Sequence, residues 1–183
     1  MERQEDIPMK KAFVVVDYQK DFVSGSLGFP EAAELDRKIV SKIEACLEAG
    51  EDLVFTFDTH DSDYLDTLEG KNLPVPHCLK GSTGWELYGE TASYLSKAAA
   101  IIEKNAFGSL KLGEFLKKGQ YTEVELVGLV SSICVISNAI IAKSALPEAQ
   151  IIVDASCTAA ADSKLHQKAL DVMEGLQIKI TNR

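Results

Sequence analysis

Val124-Glu-Leu-Val-Gly-Leu-Val130-Ser-Ser-Ile-Cys134-Val135 runs from a β-branched, apolar stretch directly into a helical one. A buried strand followed at once by a helix is half of a strand–helix–strand unit. The join carries a cysteine. A thiol in the first turn of a helix meets unpaired backbone N–H groups and the positive end of the helix dipole, and both favour the reactive thiolate. Cys134 is therefore the first candidate nucleophile, with a lowered pKa as the expectation.

Working outward, the same rhythm repeats. Strands are predicted over 12–17, 52–57, 99–104, 123–129, 150–155 and 177–181, and helices over 31–49, 87–97, 110–118, 132–145 and 162–175. Gly50 suits the position just past the end of the first helix. The strand runs are almost continuously apolar, as strands covered on both faces must be. The expected fold is α/β: a doubly wound, mostly parallel six-stranded sheet flanked by helices on both faces. With no linker, repeat or low-complexity tract, residues 1–183 read as one domain, 1–10 being a loosely ordered extension. One segment breaks the rhythm. From His60 to Trp85 periodicity is lost, and a long irregular connection inside a domain is often functional.

In open α/β sheets, ligands bind beyond the carboxyl ends of the strands. Phe13-Val-Val-Val16 ends in Asp17, Leu53-Val-Phe-Thr-Phe57 in Asp58-Thr-His60, and Ala100-Ile-Ile-Glu103 in Lys104. These groups share one sheet edge with Cys134. A cysteine attacking a carbonyl needs a proton acceptor and donors for the oxyanion. Asp17 can act as base and later as acid. Lys104 can stabilise the thiolate and hold the aspartate, and backbone N–H groups at Val130 and Cys134 can form an oxyanion hole. Taken singly, each has a plain structural role: a loop cap, a surface cation, a packed thiol. Their coincidence on one edge points to an enzyme.

Asp58 and His60, two apart on an extended strand end, share a face. His77 sits in Leu-Pro74-Val-Pro76-His-Cys78, where flanking prolines stiffen the approach. A carboxylate with two imidazoles suits one divalent transition metal, Zn²⁺ first, with Mn²⁺ or Fe²⁺ also compatible. Glu69 is the candidate fourth ligand, with Asp61, Asp63 and Asp66 as alternatives. The third histidine, His166, falls between Lys164, Gln167 and Lys168 and is expected to face solvent. Cys46, Cys78 and Cys157 lack the strand-to-helix placement of Cys134. Cys46 lies on an apolar helical face with Ile39 and Ile43, Cys78 is expected to pack in its loop, and Cys157 is expected to follow the fifth strand, close enough to the active edge to line a wall.

A net charge of -9 without a basic stripe argues against nucleic acid as partner. The chain shows no apolar run long enough for a membrane span and no secretory pattern at its start, and its widely spaced cysteines read as free thiols. The cytoplasm is the expected compartment.

The segments Val-Val-Asp17-Tyr-Gln-Lys-Asp21-Phe22, Asp58-Thr-His60, Pro-Val-Pro-His77-Cys, Lys104-Asn-Ala-Phe107-Gly-Ser-Leu and Gly128-Leu-Val-Ser-Ser-Ile-Cys134-Val resemble those of the nicotinamidases within the isochorismatase-like cysteine hydrolase superfamily. The resemblance extends from about Lys11 to the C-terminus. It implies deamidation of nicotinamide to nicotinate and ammonia in NAD salvage, with pyrazinamide also hydrolysed, through a thioester on Cys134. It further implies a metal on Asp58, His60, His77 and Glu69 that binds the pyridine nitrogen, ring walls at Phe22, Phe107 and Leu73, and a cis peptide at Leu129–Val130. Relatives are often dimers or larger, so a homo-oligomer is possible. Ser131-Ser132 stands where relatives often carry threonine and an acidic residue. Pro74 stands near a position that is often a bulky aromatic, which implies a looser ring pocket. Two alternatives remain open: a relative acting on another small amide or an N-carbamoyl compound, and a non-catalytic ligand-binding member.

Overall fold

Alternate residues of the first strand face opposite layers, and that alternation organises the molecule. In the computed structural model, which describes residues 9–183, β1 (Lys11–Val16) lies at the centre of a six-stranded sheet. Val14 and Val16 pack into one core with Leu112 and Leu116 of α5 (Leu110–Gly119), Ala139 and Ala142 of α6 (Ile136–Ala145), and Leu170 and Met173 of α7 (Ser163–Gly175). Phe13 and Val15 pack into the other, against Ile39 and Ile43 of α3 (Asp36–Glu48). Both faces being covered, the strands have no polar side to show, hence their apolar runs.

The remaining strands are β2 (Asp52–Asp58), β3 (Ala100–Lys104), β4 (Glu123–Leu129), β5 (Gln150–Ala159) and β6 (Lys179–Thr181). Their order is β3-β2-β1-β4-β5-β6, and every pairing is parallel. The chain winds outward from β1 to β3, then returns to β4 on the other side of β1 and winds outward again. This reversal opens a crevice beyond the ends of β1 and β4, the place where such sheets bind ligands. Gly128 permits the close approach there: it pairs with Val16, its φ is +106, and a Cβ would collide with the Val16 carbonyl.

The doubly wound α/β architecture is as expected from the sequence, and the sheet is wholly parallel. Several boundaries differ. The helix expected over 31–49 is two, α2 (Pro30–Ala33) and α3, joined by a tight turn in which the Leu35 N–H reaches the Ala32 carbonyl. The stretch expected as helix 87–97 is a 3-10 helix, Glu90–Lys97, whose first N–H groups, at Glu90 and Thr91, bond the Asp36 carboxylate. β5 runs past 155 because its pairing with β4 slips: Val153 faces Leu126, but Thr158 already faces Gly128, so Cys157 belongs to the strand rather than following it. Two short helices went unexpected: α1 (Lys20–Val23), and α4 (Leu68–Asn72) inside the irregular segment, where the Thr67 hydroxyl caps the Gly70 N–H. Of the loose extension expected over 1–10, residues 1–8 lie outside those described. The Lys10 carbonyl accepts from the Thr122 N–H at 2.8 Å. Among the described residues, no helix is long and apolar enough to cross a membrane.

Candidate active site

The last residue of one strand and the first beyond another meet in the crevice. Asp17 follows β1 with φ +46 and is fully buried. Its Oδ1 accepts from the Thr56 hydroxyl of β2 at 2.6 Å, and its Oδ2 lies 2.6 Å from the Nζ of Lys104, which closes β3. The Lys104 ammonium also donates to the Ala106 carbonyl at 3.0 Å and stands 3.6 Å from Cys134 Sγ. Its Nζ thus stands between the Asp17 carboxylate and the Cys134 sulfur. Thus three residues from three separate strand ends converge on one point.

Cys134 occupies a π-helical turn, Ser131–Val135, between β4 and α6. The Val130 carbonyl holds the turn by accepting from Ile133 at 3.0 Å and Val135 at 3.1 Å, and the Leu129–Val130 peptide is cis. The buried Asn138 amide donates to the carbonyls of Cys134 (2.8 Å) and Phe107 (3.0 Å) while its oxygen accepts from Ser109 N–H (3.0 Å). It pins the loop carrying Phe107 against the turn that bears Cys134.

The expected lowering of the Cys134 pKa is not what this environment produces. Burial pushes the thiol well up, and the Asp17 charge adds to that push against the opposing pull of Lys104. Burial likewise raises Asp17, with Lys104 opposing. Burial alone would disfavour the Lys104 ammonium, but Asp17, Cys134 and Asp58 outweigh it and hold its pKa above the ordinary lysine range. One buried cation therefore faces two acids. A single negative charge is neutralised; two would not be. This environment favours the protonated thiol, and Asp17 is the neighbouring carboxylate that could accept its proton. The helix-terminus argument is outweighed because burial, not the dipole, is the largest influence on this sulfur, which is 5% exposed.

Beside this triad lies a second cluster. Asp58 Oδ2 is 3.0 Å from His60 Nε2 and 3.3 Å from His77 Nε2, and Glu69 Oε1 is 3.7 Å and 3.5 Å from the same nitrogens. All four ligand atoms lie within 4.8 Å of one another. The chemistry of this set fits a cation. His77 Nδ1 is 2.8 Å from the Val75 carbonyl, which can only accept, so Nδ1 carries a proton, and Nε2, which faces both carboxylates, either donates to Asp58 or, once deprotonated, offers its lone pair to a cation. Burial opposes ionisation of Asp58, yet hydrogen bonds from His60 and His77 and the charge of Lys104 hold its pKa well below the carboxylate range. Two imidazoles and two carboxylates suit Zn²⁺, Mn²⁺ or Fe²⁺. Of the alternatives to Glu69, Asp61, Asp63 and Asp66 are exposed and stand outside the cluster. Asp58 Oδ1 lies 3.6 Å from Lys104 Nζ, so one lysine links both centres.

Several groups that hold this arrangement are not legible as such in the sequence. The buried Gln19 amide brackets the Asp58 backbone, accepting from its N–H at 2.8 Å and donating to its carbonyl at 2.9 Å. Asp21 accepts from the Cys78 N–H at 2.7 Å, anchoring the loop that bears His77. Tyr64 packs edge-on against both imidazoles, 4.8 Å from His60 and 5.0 Å from His77. His166 does not face solvent as expected: it is partly buried, its Nδ1 2.9 Å from the hydroxyl of Ser131, because the first turns of α7 lie against the turn that bears Cys134.

A cavity of about 300 Å³ opens over Cys134, with Asp58, Glu69 and His77 in its wall and Phe22, Leu73 and Phe107 among its apolar lining. That size is at the small end of ligand pockets and suits a single-ring molecule. Cys46, Cys78 and Cys157 are free and buried away from this cavity, Cys46 in the core with Ile39 and Ile43, Cys78 and Cys157 in the same core. Burial raises all three, Cys46 to about 12. Iodoacetamide is therefore expected to label Cys134 first in the folded protein, through access and a neighbouring base rather than a low resting pKa. Peptide mass spectrometry during the first labelling phase checks this, and equal labelling of all four would contradict it.

The isochorismatase domain matches residues 11–183 of this chain. The chain belongs to the isochorismatase family. A member from Bacillus subtilis (strain 168), described as the uncharacterized isochorismatase family protein PncA, is 31% identical over 143 residues, 72% of this chain and 78% of that one. The crystal structure of nicotinamidase/pyrazinamidase PncA from Bacillus subtilis superposes with a TM-score of 0.84 at 31% identity, covering 94% of this chain and 99% of the other. The pyrazinamidase of Pyrococcus horikoshii, solved in complex with zinc, superposes with a TM-score of 0.83 at 25% identity, covering 95% and 99%. With its aspartate, lysine and cysteine brought together, this family member is a cysteine hydrolase.

Proposed function

We propose that the chain is a metal-dependent nicotinamidase, converting nicotinamide to nicotinate and ammonia and hydrolysing pyrazinamide by the same route. One observation carries the reading: the Asp17–Lys104–Cys134 group and the Asp58–His60–Glu69–His77 cluster, joined through Lys104, serve one small cavity. A reactive sulfur beside a cation site is what an aromatic amide with a ring nitrogen requires.

Asp17 takes the Cys134 proton as Sγ attacks the carboxamide carbon. Lys104, 3.6 Å from the sulfur, stabilises the charge that appears there. Backbone N–H groups at Val130 and Cys134 receive the oxyanion. The tetrahedral adduct then expels ammonia, which takes its proton from Asp17, and leaves a thioester. Asp17 next removes a proton from water, which attacks that thioester and releases nicotinate, and the proton returns to the sulfur. When bound by Asp58, His60, Glu69 and His77, zinc (or manganese or iron) supplies a Lewis acid for the pyridine nitrogen. Phe22, Phe107 and Leu73 flank the ring. The assignment places the chain in NAD salvage in the cytoplasm, with a small molecule as substrate and neither nucleic acid nor membrane as partner.

Ammonia release from nicotinamide and pyrazinamide, with and without a chelator, tests the reading. Both amides are expected to be consumed, and chelation is expected to lower the rate by at least about tenfold, as loss of an orienting ligand does. Restoration by added Zn²⁺, Mn²⁺ or Fe²⁺ ranks the metals. Turnover of an N-carbamoyl compound with neither pyridine amide consumed would overturn it.

A further inference from the structure

We propose that His166 is a positioning residue: through its contact with Ser131 it sets the backbone turn whose N–H groups, at Val130 and Cys134, receive the oxyanion. The inference rests on the function proposed above for its chemistry, but its structural part stands on separate observations. Ser131 is the first residue of the nucleophile turn and is completely buried, so its hydroxyl needs an internal partner. His166 Nδ1 supplies one at 2.9 Å.

The strut is rigid at both ends. The His166 backbone N–H bonds the Asp162 carbonyl at 3.0 Å, and the Asp162 carboxylate caps α7 through the N–H groups of Lys164 (2.8 Å) and Leu165 (3.2 Å). Asp162 and Leu165 line the substrate cavity, so the helix that walls the cavity also braces the turn beneath it. On the other side, the Ser131 carbonyl accepts from the Ile136 N–H, carrying the restraint into α6. Burial and the Arg183 charge hold the His166 pKa below its ordinary value, so a neutral ring faces the hydroxyl. The imidazole touches no reacting atom; it acts on geometry alone.

Kinetics of His166→Ala, His166→Asn, Ser131→Ala and the double alanine variant decide the matter. In His166→Ala, kcat for nicotinamide is expected to fall about tenfold with KM within about twofold, as for an interaction felt only in the transition state. His166→Asn, whose amide reaches as far as Nδ1, should recover most of the loss. Ser131→Ala should reproduce it, and the double variant should be no worse than either single one. Backbone ¹⁵N–¹H resonances of Val130 and Cys134 should move in both single alanine variants and return in His166→Asn. Unchanged kcat, a loss confined to KM, independent multiplying losses, or unmoved resonances would each overturn the assignment. Absence of nicotinamide hydrolysis by the wild-type protein would instead sink the function proposed above, while the resonances still decide whether His166 braces the turn.

Discussion

Cys134→Ala is expected to lower ammonia release from nicotinamide by about 10⁴- to 10⁶-fold, the loss that follows when a covalent nucleophile is removed from a preassembled site. The reason is specific to this cavity. Asp17 and Lys104 remain, but neither can form an acyl intermediate there. Ser132, which also lines the cavity, lies outside the triad contacts and has no base. What survives is attack by water, aided only by binding and by oxyanion donors. The fold is expected to persist, because deleting one buried sulfur costs about 1 kcal/mol, a shift of a few degrees in Tm. Rapid-quench mass spectrometry should show a nicotinoyl adduct on the wild-type cysteine and none on the variant. A rate within a hundredfold of wild type would mean that water attacks the amide directly and that the sulfur is a bystander.

Much of this site was legible because strand ends are easy to read in a parallel sheet. A run such as Phe13-Val-Val-Val16 must stop where the chain leaves the covered layer, and the polar residues at the end of each run therefore mark the functional edge. Asp17 and Asp58 follow their runs directly, and Lys104 follows Ala100-Ile-Ile-Glu103, so all three are found without knowing the strand order. The order itself needs the crossover that returns the chain from β3 to β4, and no local pattern states it. Partners chosen by that crossover stay hidden. Thr56 is one more β-branched strand residue until β2 is laid beside β1 and its hydroxyl meets Asp17. His166 looks exposed because its neighbours Lys164 and Gln167 are. Its partner Ser131 stands 35 residues earlier, in another element, where no helical period can reach it.

The electrostatics were legible in kind and not in magnitude. The sequence places a thiol at the head of a helix, which argues for a thiolate. The structure shows that this thiol is enclosed and shares its neighbouring cation with a carboxylate. Burial decides the balance, and burial is a property of the packed molecule. The same enclosure is useful chemically: two acids whose affinities for one proton are both raised can exchange it at small cost during attack.

Asp17→Asn tests that exchange and is expected to lower kcat by about 10²- to 10⁴-fold, since proton transfer contributes roughly that much. An amide keeps the size of the carboxyl and its acceptor oxygen for Thr56 but cannot take a proton from sulfur. The variant also strands Lys104, whose side chain is 3% exposed and whose nearest remaining carboxylate, Asp58, is 3.6 Å away. Breaking a buried pair from one side costs about 3 kcal/mol. That deficit against wild type is expected in denaturant unfolding near pH 7, where the wild-type carboxylate is available to pair with the Lys104 ammonium. An undiminished kcat would remove Asp17 from the proton path, whatever the stability shows.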